Sequence, residues 1–218
     1  MRILELACGY GASIEFWTKQ FGVFSVDVID IRPKCLSAIK DLNPPGLGLC
    51  LTGSADDLEL FLKPKGPLQL QNYDAVVCVD AAYHFSQLPA VFAAASKLLK
   101  PDGRLVWTNF LDIHGQRPGF LRRKLLNMAG IPPHAILTQK ELSNQLTEQN
   151  LSLETLVALN SEVLGGFAKH VERRRHEVHI GAKLSPAWWK ISATGLAGAQ
   201  LCKSGFLEYS LIGAVKVP

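Results

Sequence analysis

The opening stretch of this chain limits its fold more than any other segment does. Ile3-Leu4-Glu5-Leu6 runs into Ala7-Cys8-Gly9-Tyr10-Gly11 and then into an amphipathic segment from Ala12. That order reads as a buried strand, a tight glycine turn and a helix start. Glycine reaches the backbone conformations such a turn needs and lets a ligand approach bare main chain, while the free N–H groups of a helix start favour polar or anionic groups. A dinucleotide turn needs a small residue three positions after the second glycine, so that helix and strand pack closely. Ile14 stands there instead, and no Gly-Lys-Ser/Thr follows to make a P-loop. The spacing permits a nucleoside-like ligand without a pyrophosphate.

The alternation continues through the first half of the 218 residues. Strand-like runs at 3–6, 24–29, 47–51, 73–79 and 104–110 are separated by helical patterns near 12–20, 33–42, 57–62 and 88–99. Strands alternating with helices imply right-handed βαβ crossovers and a mostly parallel sheet. Val76-Val77-Cys78-Val79 is apolar on both faces, as a strand covered by helices on each side must be. Pro101-Asp102-Gly103 ends a helix and turns the chain into the next strand. The second half is less regular: 113–119 reads as loop, 120–129 as helix, and Gly130-Ile131-Pro132-Pro133 as its break. Thr138-Gln139-Lys140-Glu141 has capping-box spacing and opens a helix to about residue 149. Strands follow at 151–159 and 206–217, with helical stretches at 164–176 and 186–202 between them. No repeat or long linker divides the chain, so one domain over 1–218 is expected.

No apolar run reaches the roughly 18 residues that span a bilayer, and no signal peptide opens the chain, so no membrane partner is expected. Cys8, Cys35, Cys50, Cys78 and Cys202 are dispersed, odd in number and without metal-type spacing. They read as small buried residues in a reducing compartment, hence a cytoplasmic protein with no metal site. Basic residues concentrate in the second half, notably Arg122-Arg123-Lys124 and Arg173-Arg174-Arg175. Neither triplet has the aromatic interleaving of a nucleic-acid groove; both read as solvated helix faces, and nucleic acid is disfavoured as a partner.

Glu5-Leu6-Ala7-Cys8-Gly9-Tyr10-Gly11 resembles the first motif of the class I S-adenosylmethionine-dependent methyltransferases, an acidic residue followed by small-x-Gly-x-Gly. Four further stretches resemble that family's stations in order. Val26-Asp27-Val28-Ile29-Asp30-Ile31 matches the end of its second strand, where Asp30 would receive the ribose hydroxyls and Ile31 would lie against the adenine. Without the resemblance, Asp30 also reads as a cap for the helix starting near Pro33. Asp27 falls too early and points elsewhere. Ser54-Ala55-Asp56-Asp57 resembles the adenine-reading loop after the third strand; Ser54 departs from the usual acidic residue, and Asp56 either substitutes for it or, like Asp57, caps a helix. Tyr73–Phe85 resembles the fourth strand and the loop leaving it, which places Asp80, Tyr83 and His84 beside the methyl-transfer site. Leu98-Leu99-Lys100-Pro101-Asp102-Gly103-Arg104-Leu105 resembles the segment before the fifth strand, with Asp102 replacing a glycine.

The resemblance covers about residues 1–110, the donor-binding half, and leaves 111–218 as the substrate-side half. It implies an α/β fold with a Rossmann-like, seven-stranded, mostly parallel sheet flanked by helices. The last two strands would pair antiparallel at an edge, with a helical insertion in the C-terminal half. It implies S-adenosyl-L-methionine as cofactor, held by Glu5, Ala7, Gly9, Gly11, Asp30, Ile31, Ser54, Ala55, Asp56 and Asp80. Methyl transfer is an in-line displacement, so the protein's main task is positioning. Where the acceptor must lose a proton, His84 is the candidate base; otherwise it hydrogen-bonds in its loop or places Tyr83. Tyr83 either hydrogen-bonds a ligand or packs. Among the other histidines, His114 and His134 are candidates for a substrate pocket, whereas His170, His176 and His179 read as surface or substrate-cap residues. Trp188-Trp189 with Phe167 either shape an apolar acceptor pocket or pack the helices. Family members usually carry a helical lid before the first strand. Here Met1 directly precedes that strand, so either the product is truncated or the C-terminal helices do the covering.

The expected function is methyl transfer to an O, N or C atom of a small, partly apolar molecule. A donor-binding module without catalysis is the alternative, and an RNA or protein methyltransferase a weaker one. The Asn/Asp-Pro-Pro-aromatic motif of many nucleic-acid methylating enzymes is absent.

Overall fold

The computed structural model describes residues 1–63, 65–115, 119–128, 131–132, 135–205 and 207–217. Among these residues eight strands form one sheet: β1 (Arg2–Leu6), β2 (Ser25–Asp30), β3 (Leu47–Thr52), β4 (Tyr73–Cys78), β5 (Leu99–Asp112), β6 (Leu137–Thr138), β7 (Leu151–Ala158) and β8 (Leu207–Lys216). Their order is β3-β2-β1-β4-β5-β8-β7, with the two-residue β6 pairing beside β5. Every pairing is parallel except those of β8, which runs antiparallel to both β5 and β7. The expected antiparallel pair of the last two strands, β7 and β8, is present and forms one edge of the sheet, its strands joined through the helical excursion. β8 inserts between β5 and β7, and β7 takes the edge.

Helices α1 (Ala12–Phe21), α2 (Pro33–Leu42) and α3 (Leu88–Leu98) make the crossovers, with a 3₁₀ helix over Ala55–Leu62. Local chemistry fixes their ends. Gly11 and Gly22 flank α1 in the left-handed conformation, with φ +73 and +62, and Pro33 starts α2 where its missing N–H costs nothing. The helix expected at 88–99 stops at Leu98, and pairing with β4 begins at once, Tyr73 opposite Leu99. A register shift lies between Tyr73 and Ala75, and Asp102 takes φ +61. Pro101-Asp102-Gly103 is thus a kink within β5 rather than the link before it.

In the second half α4 (Phe120–Met128), α5 (Gln139–Thr147), α6 (Gly166–Glu177), the single turn α7 (Ile180–Lys183) and α8 (Pro186–Ser204) follow. The capping box at α5 forms: Thr138 Oγ1 accepts from Glu141 N at 3.2 Å, and Glu141 Oε2 accepts from Thr138 N at 2.8 Å. Gly130, Pro133 and His134, to which a helix break and a pocket role were ascribed, lie outside the described residues, as do Phe206 and the side chain of Cys202.

Two hydrophobic clusters sandwich the sheet. One gathers Leu4, Phe92, Leu98, Trp107 and Ile212; the other Ile3, Ile14, Val26, Leu36 and Ile39. Beside Tyr73, a member of the first cluster, lies a buried polar knot. Asp27, fully buried, accepts from Tyr73 Oη at 2.6 Å, Arg2 Nη2 at 2.7 Å and Leu49 N at 2.7 Å. Asp27 is therefore a structural carboxylate, pointing away from the ligand side as expected. The chain goes from β1 outward to β3 and then returns to β4 on the other side of β1. That reversal opens a crevice beyond the carboxyl ends of β1 and β4, where ligands bind in open α/β sheets.

Candidate active site

The crevice begins with the backbone. Ala7, Gly9 and Gly11 all have positive φ, +55, +58 and +73. Glycine at 11 is required twice over, because a Cβ there would come within 2.8 Å of Ile39 Cγ1 and 2.9 Å of Ile14 Cδ1. Ile14, the residue that argues against a dinucleotide, therefore packs directly on the turn. Glu5, 4% exposed, faces α1 and accepts from Ser13 Oγ at 2.7 Å and Trp17 Nε1 at 3.3 Å. Burial raises its pKa, and the bonds from Ser13 and Trp17 pull it back only partly. Glu5 ties the turn to α1. It does not line the cavity.

That cavity measures about 480 Å³. Ala7, Asp30, Ile31, Ser54, Ala55 and Asp56 line one side, and Asp80 and His84 the other. Arg32, Gly53, Val79, Ala81 and Phe85 complete it and were not singled out from the sequence. Asp30 is 2% exposed and fully engaged. Its Oδ2 accepts from Gly9 N at 2.8 Å and Arg32 Nη2 at 3.3 Å; its Oδ1 accepts from Arg32 N at 2.9 Å and Nε at 3.0 Å. Burial pushes the carboxyl up, but the Arg32 side chain and backbone and the Gly9 N–H outweigh it and hold it below 3.8. The helix-cap alternative fails for Asp30, because α2 starts from Arg32 with no side-chain cap.

Ser54 caps the 3₁₀ helix, its Oγ accepting from Asp56 N at 3.2 Å. Asp56 and Asp57 are therefore not its caps. The Asp56 carboxylate crosses to the next loop, accepting from Ser86 Oγ at 2.8 Å and Gln87 N at 2.9 Å. It pins the residues that precede α3 to the adenine-type loop.

Beyond β4 the chain turns sharply: Asp80 has φ +56, and its N–H donates to Thr108 Oγ1 at 2.7 Å. A 3₁₀ turn over Ala82–His84 then splits the two candidate catalytic residues. His84 faces the large cavity. Tyr83 faces a second one, of about 240 Å³, lined by Phe110, Ile131, Leu164, Phe167 and Tyr209. Asp80 lines both. Its Oδ1 accepts from Tyr83 Oη at 2.9 Å, and Tyr209 Oη lies 2.9 Å from the same oxygen and 2.8 Å from Thr108 Oγ1. Burial first, then the Asp80 charge, raises the Tyr83 phenol pKa far above its ordinary value. Burial raises Tyr209 in the same way, with Asp80 adding to it and the bond to Thr108 opposing. Both phenols are thus held protonated as donors. Tyr209 went unnoticed in the sequence; the available signal was a tyrosine on the inward face of an apolar strand, whose hydroxyl needs a partner when buried.

Of the three residues read as either pocket or packing, Phe167 lines the small cavity, whereas Trp188 and Trp189 line a separate groove facing outward. His114 lines yet another cavity, beside Asp112 and Thr138. His176 lies 3.7 Å from Glu172, His170 Nδ1 is 3.3 Å from Arg173 Nη2, and His179 Nδ1 accepts from Gly181 N at 3.2 Å. All three are surface residues.

Comparison with known proteins agrees with this geometry. The family described as "Methyltransferase domain" matches residues 3–103. A phthiotriol/phenolphthiotriol dimycocerosates methyltransferase of Mycobacterium leprae is 24% identical over 221 residues, covering 99% of this chain and 69% of that protein. An uncharacterized methyltransferase of Schizosaccharomyces pombe is 30% identical over 171 residues, covering 76% of this chain and 56% of its own length. Across the curated relatives it matches, the chain spans from 37% to 69% of their length. The solved phosphoethanolamine N-methyltransferase 2 of Haemonchus contortus, in complex with phosphomonomethylethanolamine and S-adenosylhomocysteine, superposes with a TM-score of 0.79 at 15% identity, over 100% of this chain and 49% of that one. With its motifs at the ends of β1, β2 and β4 of such a sheet and a methyltransferase-domain match over residues 3–103, the chain is similar to the class I S-adenosylmethionine-dependent methyltransferases.

Proposed function

We propose that this chain transfers a methyl group from S-adenosyl-L-methionine to an O, N or C atom of a small, partly apolar molecule. In this reading residues 1–218 act as one domain, with the donor in the half 1–110 and the acceptor drawn in by 111–218. The observation that supports it is the meeting of two unlike cavities at Asp80, one large with carboxylates on its rim, one small and apolar.

The residues present suit the donor. The larger cavity falls within the roughly 300–1,000 Å³ of small-molecule sites, and α1 presents its N-terminus with no side-chain cap. Asp30 would hold the ribose hydroxyls, Ile31 and the main chain of Ser54 and Ala55 the adenine, and Ala7, Gly9 and Gly11 the methionyl end, with Glu5 supporting the turn. When bound, the donor supplies a methyl carbon activated by its sulfonium. The rest is positioning by the protein. Tyr83 and Tyr209 fix the Asp80 carboxylate between the cavities. Tyr83 lines the apolar side with its hydroxyl proton committed to Asp80, and His84, its ring 4.4 Å from that of Tyr83, faces the donor side and takes a proton from an acceptor that must lose one. The Mycobacterium leprae relative is named for phthiotriol and phenolphthiotriol dimycocerosates as acceptors.

The test is transfer of a labelled methyl group to a panel of hydroxylated and aminated apolar molecules, with Tyr209→Phe as the variant. A hydrogen bond to a charged group contributes about 1.5–3 kcal/mol, so Tyr209→Phe should cost about 10- to 100-fold in kcat with S-adenosylhomocysteine affinity unchanged. Tight donor binding with no methylated product from any acceptor would leave the binding module instead.

A further inference from the structure

The methyl-transfer reading leaves two features of the helical excursion unused, the Arg173-Arg174-Arg175 run and the Trp188-Trp189 pair. Of these, Arg175 and both tryptophans line the outer side of α6–α8. Adjacent residues of the same helices serve opposite faces: Phe167, Thr194 and Gly198 line the apolar cavity beside Tyr83, whereas Ala168, Gly195 and Leu196 line an outward groove of about 370 Å³. The helices approach closely at Gly195, where a Cβ would lie 3.2 Å from Val171 Cγ2. α8 is thus apolar on two faces, and among the described residues only the inner one is covered. On the outer face Leu184 is 73% exposed, Trp189 66% and Leu196 73%, an apolar cluster that solvent alone does not favour.

Charge says what covers it. Residues 166–204 hold seven Lys or Arg against two Glu, a surplus of five, while the whole chain carries only +4. Arg175 and Lys183 line the groove itself; Glu172 also lines it, with His176 Nε2 at 3.7 Å. Exposed tryptophan and leucine ringed by cations is the composition of a surface that sinks its apolar side chains into the boundary of an anionic bilayer while the cations meet the headgroups. We propose that the outer face of α6–α8, centred on Leu184 and Trp189 and rimmed by Arg175 and Lys183, docks the protein on an anionic membrane surface. This needs no spanning segment, and no described helix is long and apolar enough to cross a membrane. Docking sets the wall of the apolar cavity, made by the same two helices, beside a reservoir of apolar molecules.

The experiment is co-sedimentation of the full chain with vesicles of phosphatidylcholine alone and of phosphatidylcholine with about one-third phosphatidylglycerol, at low and high salt. Binding to the anionic vesicles should be at least about tenfold tighter and weaken with salt. Brominated lipids should quench tryptophan emission in the parent, and Trp189→Ser should remove most of that quenching. Leu184→Ser with Trp189→Ser, and separately Arg175→Glu with Lys183→Glu, should each lower vesicle binding at least about tenfold. S-adenosylhomocysteine affinity, measured on the same samples, should stay at the parent's value; it confirms folding and reads the donor site independently of the membrane. No anionic-vesicle binding at low salt would overturn the proposal, as would binding that neither double variant reduces. So would capture of monomeric fatty acid without vesicle binding, or a dimer that either double variant dissolves.

Discussion

Arg32 competes for the group that should bind the donor. A carboxylate offers about four acceptor positions, and all four on Asp30 are taken: two by the main-chain N–H groups of Gly9 and Arg32, two by the Arg32 guanidinium. The main-chain donors are fixed by the turns after β1 and β2. A ribose diol must therefore displace the guanidinium, whose side chain is 60% exposed and free to swing into solvent. An ion pair with so exposed a partner contributes about 0.2–1 kcal/mol, the upper end being apt for this forked contact with a buried carboxylate. Arg32→Ala removes that competition, so S-adenosylhomocysteine should bind up to about fivefold tighter, since 1.4 kcal/mol is about tenfold. The variant should lose less than about 1 kcal/mol of stability. Titration calorimetry of parent and variant, at low salt and near 1 M salt, reads the effect, and screening should narrow the gap at high salt. Weaker binding by the variant would refute this reasoning, because it would make the guanidinium a ligand contact.

Gly11→Ala combines a left-handed backbone at φ +73 with a Cβ 2.8 Å from Ile39, and should cost about 2–5 kcal/mol in urea unfolding. Gly22→Ala, at φ +62 with nothing within 4 Å, isolates the backbone cost and should lose only about 1 kcal/mol; equal losses would contradict the packing role. Glu5 should reveal itself through pH. Burial raises its folded pKa above 4.5, so its contribution to stability is fully present below that value and is lost as pH rises through the folded one. Glu5→Gln should therefore gain stability relative to the parent between about pH 5 and about pH 8, and urea midpoints that differ by the same amount at both would contradict it.

The donor half was legible because its evidence is local. A glycine turn, an acidic residue at the end of β2 and a loop after β4 are each a few consecutive residues, and parallel strand order makes their positions converge. The place of β8 was not legible, because Arg104 opposite Val215 is a pairing between distant segments that no periodicity records. The Asp30–Arg32 pair escaped notice although the residues are two apart; the resemblance assigned the carboxylate to a ligand, and a competing cation beside it went unweighed. For the tryptophan pair, helix phase decides against the pocket alternative. At about 100° per residue, Trp188 stands about 240° from Thr194, so the two cannot share the inner face. Tyr209 belonged to a strand read only for its hydropathy. Asp56 was read as adenine contact or cap, whereas its carboxylate joins Ser86 and Gln87, a contact between two loops that only the folded sheet brings together.

The central claim is a donor site anchored on Asp30, and thermal unfolding with and without S-adenosylhomocysteine tests it most directly. Ligand at about 100 times its dissociation constant should stabilise the parent by about 2.7 kcal/mol, a rise of several degrees in Tm, and leave Asp30→Ala unshifted. No shift in the folded parent, or an equal shift in the variant, would contradict it.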